Sequence, residues 1–349
     1  MNSPFQNRRL PRSLPLMATV ILALMTAYAG CVSDRPGIPE RDRITYPEFQ
    51  ASQRSFQLAE RHPLEASDNL NLRYTELGIP EGQSVVFVHG VPSSSWMFRF
   101  VLDALSTSGA TTDLHLIAPD NLGYGASDKP QLGGDAAAEF YSPEAQARRL
   151  EELLDGLGVN SAVFVVHDVG GPIVWELIDR RPDLADGLVV LNTIGAPGGF
   201  TPPAAMDNPI VQAGMQLMGM EGRALIESTI CNMVVDREEL DTDVQLQGYT
   251  EPFTEGAGAA YLSFLTHLDI VRDQLPRYQR ILQELSLPAA VAWGAQDENL
   301  QVDPSLQWFA ETLSVSEDRS VLLADAKHLI TEEEPDLVAE MIAGVAAQL

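Results

Sequence analysis

Seven short, β-branched-rich runs punctuate the chain, at 70–77, 84–88, 113–118, 162–167, 187–192, 288–293 and 319–323, and most are apolar throughout. A strand that alternates buries one face; a strand apolar at every position is covered on both. Helical stretches lie between the runs. Ser142-Pro143 supplies an N-cap and a first-turn proline for a helix reaching residue 154. Residues 172–180 predict another helix. The chain ends in a third, 335–349, apolar at Leu337, Val338, Met341, Ile342 and Val345. This alternation predicts an α/β fold with a mostly parallel sheet flanked by helices. The regularity breaks between 195 and 287, where Met- and Gly-rich helical stretches carry no buried strand. That segment reads as a helical cap inserted between a first core part, 47–194, and a second, 288–349. A length of 349 residues with 45% apolar content suits one such domain with an insertion.

Residues 1–30 are set apart from this pattern. Arg8, Arg9 and Arg12 precede the uncharged stretch 17–29, and the small residues Ala29 and Gly30 lead into Cys31. A charged head, a short apolar segment and a small-residue cleavage site make a secretion signal. Ala-Gly-Cys at its end resembles a bacterial lipobox, whose cysteine is lipidated. An ordinary signal peptide with an incidental cysteine is the alternative. Residues 31–46, with Pro36, Gly37 and Pro39, then read as a tether. The expected location is exported and membrane-anchored, in the periplasm or at the cell surface. If Cys31 is lipidated, Cys231 has no intramolecular disulfide partner, and lying among Ile230, Met233 and Val234 it is expected to be a buried structural thiol.

The formal charge is −27, and removal of residues 1–30 takes away three arginines and no acid. Such a surface repels nucleic acid and anionic lipid, leaving the lipid anchor as the expected membrane contact.

The segment from Ala162 to Trp175 runs from a buried strand through a tight turn into a helix, as a nucleophile elbow requires. Gly170 and Gly171 relieve crowding at the turn, and the helix N-terminus offers N–H groups to a developing anion. The residue at the tip is Asp168. A carboxylate displaces a leaving group from saturated carbon and forms an alkyl ester, which water then hydrolyses. No G-x-S-x-G occurs in the chain. Read without its neighbours, Asp168 is simply a helix cap.

Further segments supply partners. His89-Gly90-Val91-Pro92 follows a strand, and its backbone completes an oxyanion hole, assigned to the N–H groups of Val91 and Val169. His89 reads as a brace for this loop. The loop Gly123-Tyr-Gly-Ala-Ser-Asp-Lys-Pro130 lacks the lysine placement of a phosphate loop and reads as structural. Asp297 sits just past a strand, where it orients a histidine; Glu298 is the fallback. His328 follows the last strand. The chain order Asp168, Asp297, His328 is the nucleophile–acid–histidine order of α/β-hydrolases. The histidines and acids show no metal-ligand spacing such as H-E-x-x-H, so no metal or organic cofactor is expected.

Together His89-Gly-Val-Pro, Gly123-Tyr-Gly-Ala-Ser-Asp-Lys-Pro130, His167-Asp-Val-Gly-Gly171, Trp293-Gly-Ala-Gln-Asp297 and His328 resemble the epoxide hydrolase and haloalkane dehalogenase branch of the α/β-hydrolase superfamily, over roughly residues 47–349. The resemblance implies that Asp168 attacks carbon and that His328, oriented by Asp297, activates water. It implies a small apolar epoxide or haloalkane as substrate. Haloalkane dehalogenases typically place a halide-binding tryptophan after the nucleophile, and many add an asparagine in the His-Gly-x-Pro loop; here those positions hold Val169 and Val91. Epoxide hydrolases use cap tyrosines as proton donors, which points to Tyr261 and, second, Tyr249. The expected activity is therefore epoxide hydrolysis, with dehalogenation as the alternative. A non-catalytic binding lipoprotein on a hydrolase fold is the alternative of another class.

Overall fold

A computed structural model describes residues 44–65, 68–107, 113–200, 223–235, 240 and 244–349. The expected signal segment and Cys31 lie outside these residues. Within the expected tether, Thr45 forms a capping box with Glu48 at the start of α1 (Tyr46–Ser52).

The strands are β1 (Arg54–Arg61), β2 (Asn69–Gly78), β3 (Gln83–Val88), β4 (Leu114–Pro119), β5 (Ala162–Asp168), β6 (Ala185–Thr193), β7 (Ala289–Gly294) and β8 (Ser320–Leu323). They form one eight-stranded sheet in the order β1-β2-β4-β3-β5-β6-β7-β8. The β1–β2 and β2–β4 pairs are antiparallel and the others parallel. All seven expected runs are strands within a residue or two. The eighth, β1, escapes the apolar pattern because it is an edge strand that buries Leu58 alone among its residues.

The helices after α1 are α2 (Arg99–Thr107), α3 (Gly134–Phe140), α4 (Pro143–Leu157), α5 (Gly170–Arg180), α6 (Arg223–Asn232), α7 (Gln247–Thr254), α8 (Gly258–Thr266), α9 (Leu268–Glu284), α10 (Val302–Thr312), α11 (Ile330–Glu333) and α12 (Pro335–Ala346). Period-two side-chain alternation divides each central strand between two cores. Val85, Phe87, Val163 and Val165 face α2, α12 and the buried residues Tyr249, Phe253 and Tyr261 of the insertion. Val86, Val88, Phe164 and Val166 face α4, α5, α9 and α10. Ser142 caps α4 by accepting the Ala145 N–H at 3.2 Å, and the helix ends at Gly158 in the left-handed conformation.

The described part of 195–287 after residue 222 is helical, from α6 to α9. Its last helix turns back onto the core: the Tyr278 hydroxyl donates to Glu176 of α5 at 2.8 Å, and Arg277 pairs with Glu176 and with Asp179. Cys231 is buried, as expected, but it is disulfide-bonded, which corrects the expectation of a free thiol.

Candidate active site

Four segments meet at the C-terminal ends of the parallel strands. β5 delivers Asp168 with φ +51°, a left-handed conformation that costs a non-glycine residue about 1 kcal/mol or more. The surroundings hold it there. Its carbonyl accepts from Thr193 Oγ1 at 2.5 Å, and glycines leave the room it needs. A Cβ on Gly90 would lie 2.3 Å from Cβ of Asp168, and one on Gly170 would lie 2.0 Å from the Val88 carbonyl oxygen. Any side chain at either position would push the strand, loop and helix apart.

The Asp168 carboxylate accepts the Val169 N–H at 2.7 Å, and the Val91 N–H also hydrogen-bonds to it. The two donors expected from sequence therefore both point at this carboxylate. His328 lies across from it, with Nε2 3.9 Å from Asp168 Oδ2. That separation is beyond hydrogen-bond reach, so the ring leaves the carboxylate unengaged. The other ring nitrogen, Nδ1, donates to Asp297 Oδ2 at 2.8 Å, since a carboxylate can only accept. Nε2 is thus the nitrogen that faces Asp168. Glu298, the fallback acid, is exposed.

Burial divides the two acids. It pushes Asp168 up to about 6, although the nearby His328 and the Val169 N–H oppose it. Burial acts in the same direction on Asp297, but His328, Asn192 and the Leu300 N–H outweigh it and hold that acid at about 2. For His328, burial alone would lower the pKa; Asp297 and then Asp168 reverse this and raise it. His167 is a neutral neighbour, lowered to about 3 by burial and by His328, and its Nε2–H donates to the His328 carbonyl at 2.8 Å.

The loops around the site are fixed by a buried aspartate. Asp120 accepts from the Ser95 N–H at 2.9 Å, the Ser95 hydroxyl at 2.6 Å, the Ala126 N–H at 2.8 Å and Gln53 at 3.0 Å. It joins the serine turn to the glycine-rich loop, which has the structural character expected for it. His89 donates from Nδ1 to the Gly90 carbonyl and accepts the Asn121 N–H at Nε2, both at 2.8 Å. It braces the loop that carries Val91.

The two cap tyrosines part company. Tyr261 packs edge-on against Phe253 and has no hydrogen-bond partner among the described residues. Burial and the negative charge of Asp168 both raise its pKa, so its hydroxyl stays protonated. Tyr249 is not brought to Asp168. Its hydroxyl donates to Glu332, which is also held by Arg99 in a bidentate pair at 2.5 and 2.7 Å. That buried cluster consumes the phenol, so Tyr249 is not a free proton donor.

Two residues of the site were passed over in the sequence. Asn192, at the end of β6 with φ +35°, donates to Asp297 Oδ2 at 2.6 Å and to the Lys327 carbonyl at 3.2 Å. It ties the acid to the histidine loop, yet in sequence it is a polar residue closing an apolar strand. Tyr124, inside the glycine-rich loop, packs edge-on against His89 at 5.8 Å, and the charges of Tyr141, Tyr261 and Asp168 add to burial in raising its pKa. It is a second buried phenol whose ionisation the Asp168 charge opposes, contributed by the core.

The chain matches the alpha/beta hydrolase family over residues 85–341 and belongs to it. It is a hydrolase of that family. It is similar to the cis-3-alkyl-4-alkyloxetan-2-one decarboxylase of Shewanella oneidensis, 28% identical over 80% of this chain and 85% of that one. It is similar to a haloalkane dehalogenase of Bradyrhizobium diazoefficiens, 26% identical over 78% of this chain and 90% of the other. It is also similar to epoxide hydrolase 1 of Caenorhabditis elegans, 20% identical over 78% and 67% respectively.

Proposed function

We propose that the chain hydrolyses small epoxides to diols through an ester on Asp168. The observation that carries this reading is an aspartate at the strained elbow tip, with two backbone N–H groups on its carboxylate and His328 Nε2 facing it. In the first step an Asp168 oxygen attacks an epoxide carbon. The carbon–oxygen bond breaks, and the ring oxygen takes the proton of Tyr261. In the second step His328 Nε2 removes a proton from water, and the hydroxide attacks the ester carbonyl. The N–H groups of Val91 and Val169 hold the oxyanion, and its collapse releases the diol and regenerates the carboxylate. Asp297 balances the positive charge that forms on His328, and the imidazolium finally returns a proton to the Tyr261 phenolate, which restores both groups.

Dehalogenation is the second reading, favoured by the Asp-Lys-Pro loop and the dehalogenase relative. Against it, valine side chains at 91 and 169 offer a departing halide no donor. The test incubates the mature domain with terminal and internal epoxides, bromo- and chloroalkanes and a cis-dialkyl oxetan-2-one, assaying diol, halide and alkene together. Diol alone supports the proposal, and Tyr261→Phe then lowers the rate about 100-fold or more. Halide release or alkene formation without diol overturns it. Asp168→Ala abolishes turnover if the site is catalytic; substrate binding without turnover in both proteins would favour the binding alternative.

Export completes the reading, with lipidation of Cys31 set against a bridge to Cys231. The chain has two cysteines, and Cys231 is disulfide-bonded. A thioether at Cys31 and a bridge between the two residues exclude one another. The intact mass of protein extracted from membranes separates them: a diacylglyceryl adduct at Cys31 supports the anchor, and an oxidised, unacylated chain removes it.

A further inference from the structure

The loop carrying His328 is held on one side by the core and on the other by the insertion. From the core, Asp297 takes the ring and His167 takes the carbonyl. From the insertion, the Met233 carbonyl, just past α6, accepts the N–H groups of both His328 and Leu329 at 3.0 Å. Lys327 Nζ donates to the Asn232 carbonyl at 3.3 Å. Glu333 closes this arrangement. Its Oε1 accepts the Val235 N–H at 2.6 Å, and its Oε2 accepts the Lys327 N–H at 2.8 Å. One carboxylate therefore bridges the inserted segment and the residue immediately before His328. Its neighbour Glu332 points elsewhere, to Arg99 and Tyr249.

We infer that Glu333 is a positioning residue for His328, and that through it the segment 232–235 helps to orient the base. The inference rests on the reading of His328 as the base of ester hydrolysis. The physical argument is one of leverage. The ring pivots on its Nδ1 bond to Asp297, so a small backbone displacement swings Nε2 away from the line to the Asp168 carboxyl. Misplacement by about 1 Å can cost on the order of 100-fold in rate. A carboxylate accepting two N–H groups is well suited to this task, since both oxygens accept at once. A carboxamide has one accepting oxygen, and its NH2 would confront the second N–H. The electrostatics of the same geometry agree with the arrangement. Burial, opposed by the Val235 and Lys327 N–H groups, pushes Glu333 up to about 7, as expected of a carboxylate held in place at a desolvation cost. Its charge is also felt at His328, where it joins Asp297 and Asp168 in favouring the imidazolium against burial.

The two-step chemistry gives this role a signature. His328 acts only on the ester, so disturbing it should slow the second step and spare the first. In Glu333→Gln, kcat should fall about 10- to 100-fold with KM falling in parallel. Rapid quench and intact-mass measurement should show the protein accumulating with one substrate mass added at Asp168. His328→Gln should show the same adduct more completely. Glu333→Asp keeps the charge with a shorter reach and should recover part of the rate. Equal slowing of ester formation and hydrolysis, or no change in either, would overturn the inference.

A substrate-free arm keeps the two readings separable. In Glu333→Gln the ring titration of His328, followed by NMR, should move to lower pH. Amide exchange at His328 and Leu329 should quicken by about tenfold or more as their seat on Met233 loosens. An unchanged titration and unchanged exchange would end the inference about Glu333, whatever the substrate. A wild-type protein that forms no Asp168 ester with any epoxide or haloalkane would instead end the mechanistic reading, while the NMR comparison still decides the role of Glu333.

Discussion

Two buried carboxylates among the described residues, Glu332 and Asp168, are satisfied to different degrees. Glu332 is saturated: both oxygens meet Arg99, and Oε1 also takes the Tyr249 hydroxyl. Arg99 is equally occupied, donating to Gln245 at 2.8 Å and to the Trp96 carbonyl at 2.9 Å while stacking on the Trp96 ring. Asp168 is buried among two backbone N–H groups with no cation in contact, and its nearest basic nitrogen stands 3.9 Å away. The saturated cluster joins the insertion to α2 and α11. The under-satisfied one holds the carboxylate proposed as the nucleophile. Burial of a carboxylate does not by itself mark a site; burial without full neutralisation does.

Breaking the saturated cluster should have the largest effect on stability. Glu332→Gln leaves the Arg99 guanidinium buried without its counter-charge, which costs about 3–5 kcal/mol. The urea midpoint should fall accordingly with little change in slope. Molecules that remain folded should still form the Asp168 ester. A variant with wild-type stability and no ester would reverse the roles assigned to the two clusters.

The next effect has the opposite sign and tests the reactive carboxylate. The folded-state pKa of Asp168, about 6, lies above its ordinary value of 3.8. At pH 7 the folded protein therefore bears the cost of an ionised buried carboxylate, about 3 kcal/mol. This penalty is fully present above the folded pKa, shrinks as pH falls through about 6, and vanishes below the unfolded pKa. Asp168→Asn, which has no charge to bury, should be more stable than the parent by up to that amount at pH 7. The two stability curves should converge near pH 4. Curves offset by a constant at all pH values would mean that Asp168 is better neutralised than the geometry indicates.

The sequence made the framework and the chemical centre legible for the same reason: both rest on local patterns. Strands buried on both faces must be apolar at every position, so seven of eight could be read, and β1 was lost because an edge strand need not follow that rule. The elbow was legible because strand, aspartate and paired glycines are contiguous. Asp297 and His328 followed from chain order. The long-range partners were not legible. Asn192 meets Asp297 across 105 residues, and Tyr249 meets Glu332 across 83. The sequence could nominate Tyr249 and Tyr261 together as cap phenols, but only packing shows that one hydroxyl is consumed and the other is not. The disulfide at Cys231 was missed because the lipobox reading of Cys31 leaves Cys231 without an intramolecular partner.

The two tyrosines supply the smallest effects and a pointed test, because the comparison predicts a crossover. Tyr249→Phe removes a hydrogen bond to a buried carboxylate, worth about 1.5–3 kcal/mol, and should lower stability by that order. Arg99 still neutralises Glu332 in that variant, so the loss stays below that of Glu332→Gln. The phenol does not approach Asp168, so the rate per folded molecule should hold. Tyr261→Phe removes a hydroxyl that has no partner among the described residues, so the melting temperature should stay within about 2 °C of the parent. Its loss should appear in the rate of epoxide opening and be absent from hydrolysis of a preformed Asp168 ester. A Tyr261→Phe protein that opens epoxides at the parent rate would transfer the donor role to Tyr124, the second buried phenol whose ionisation the Asp168 charge opposes. The double variant Tyr124→Phe/Tyr261→Phe then decides whether any phenol is needed.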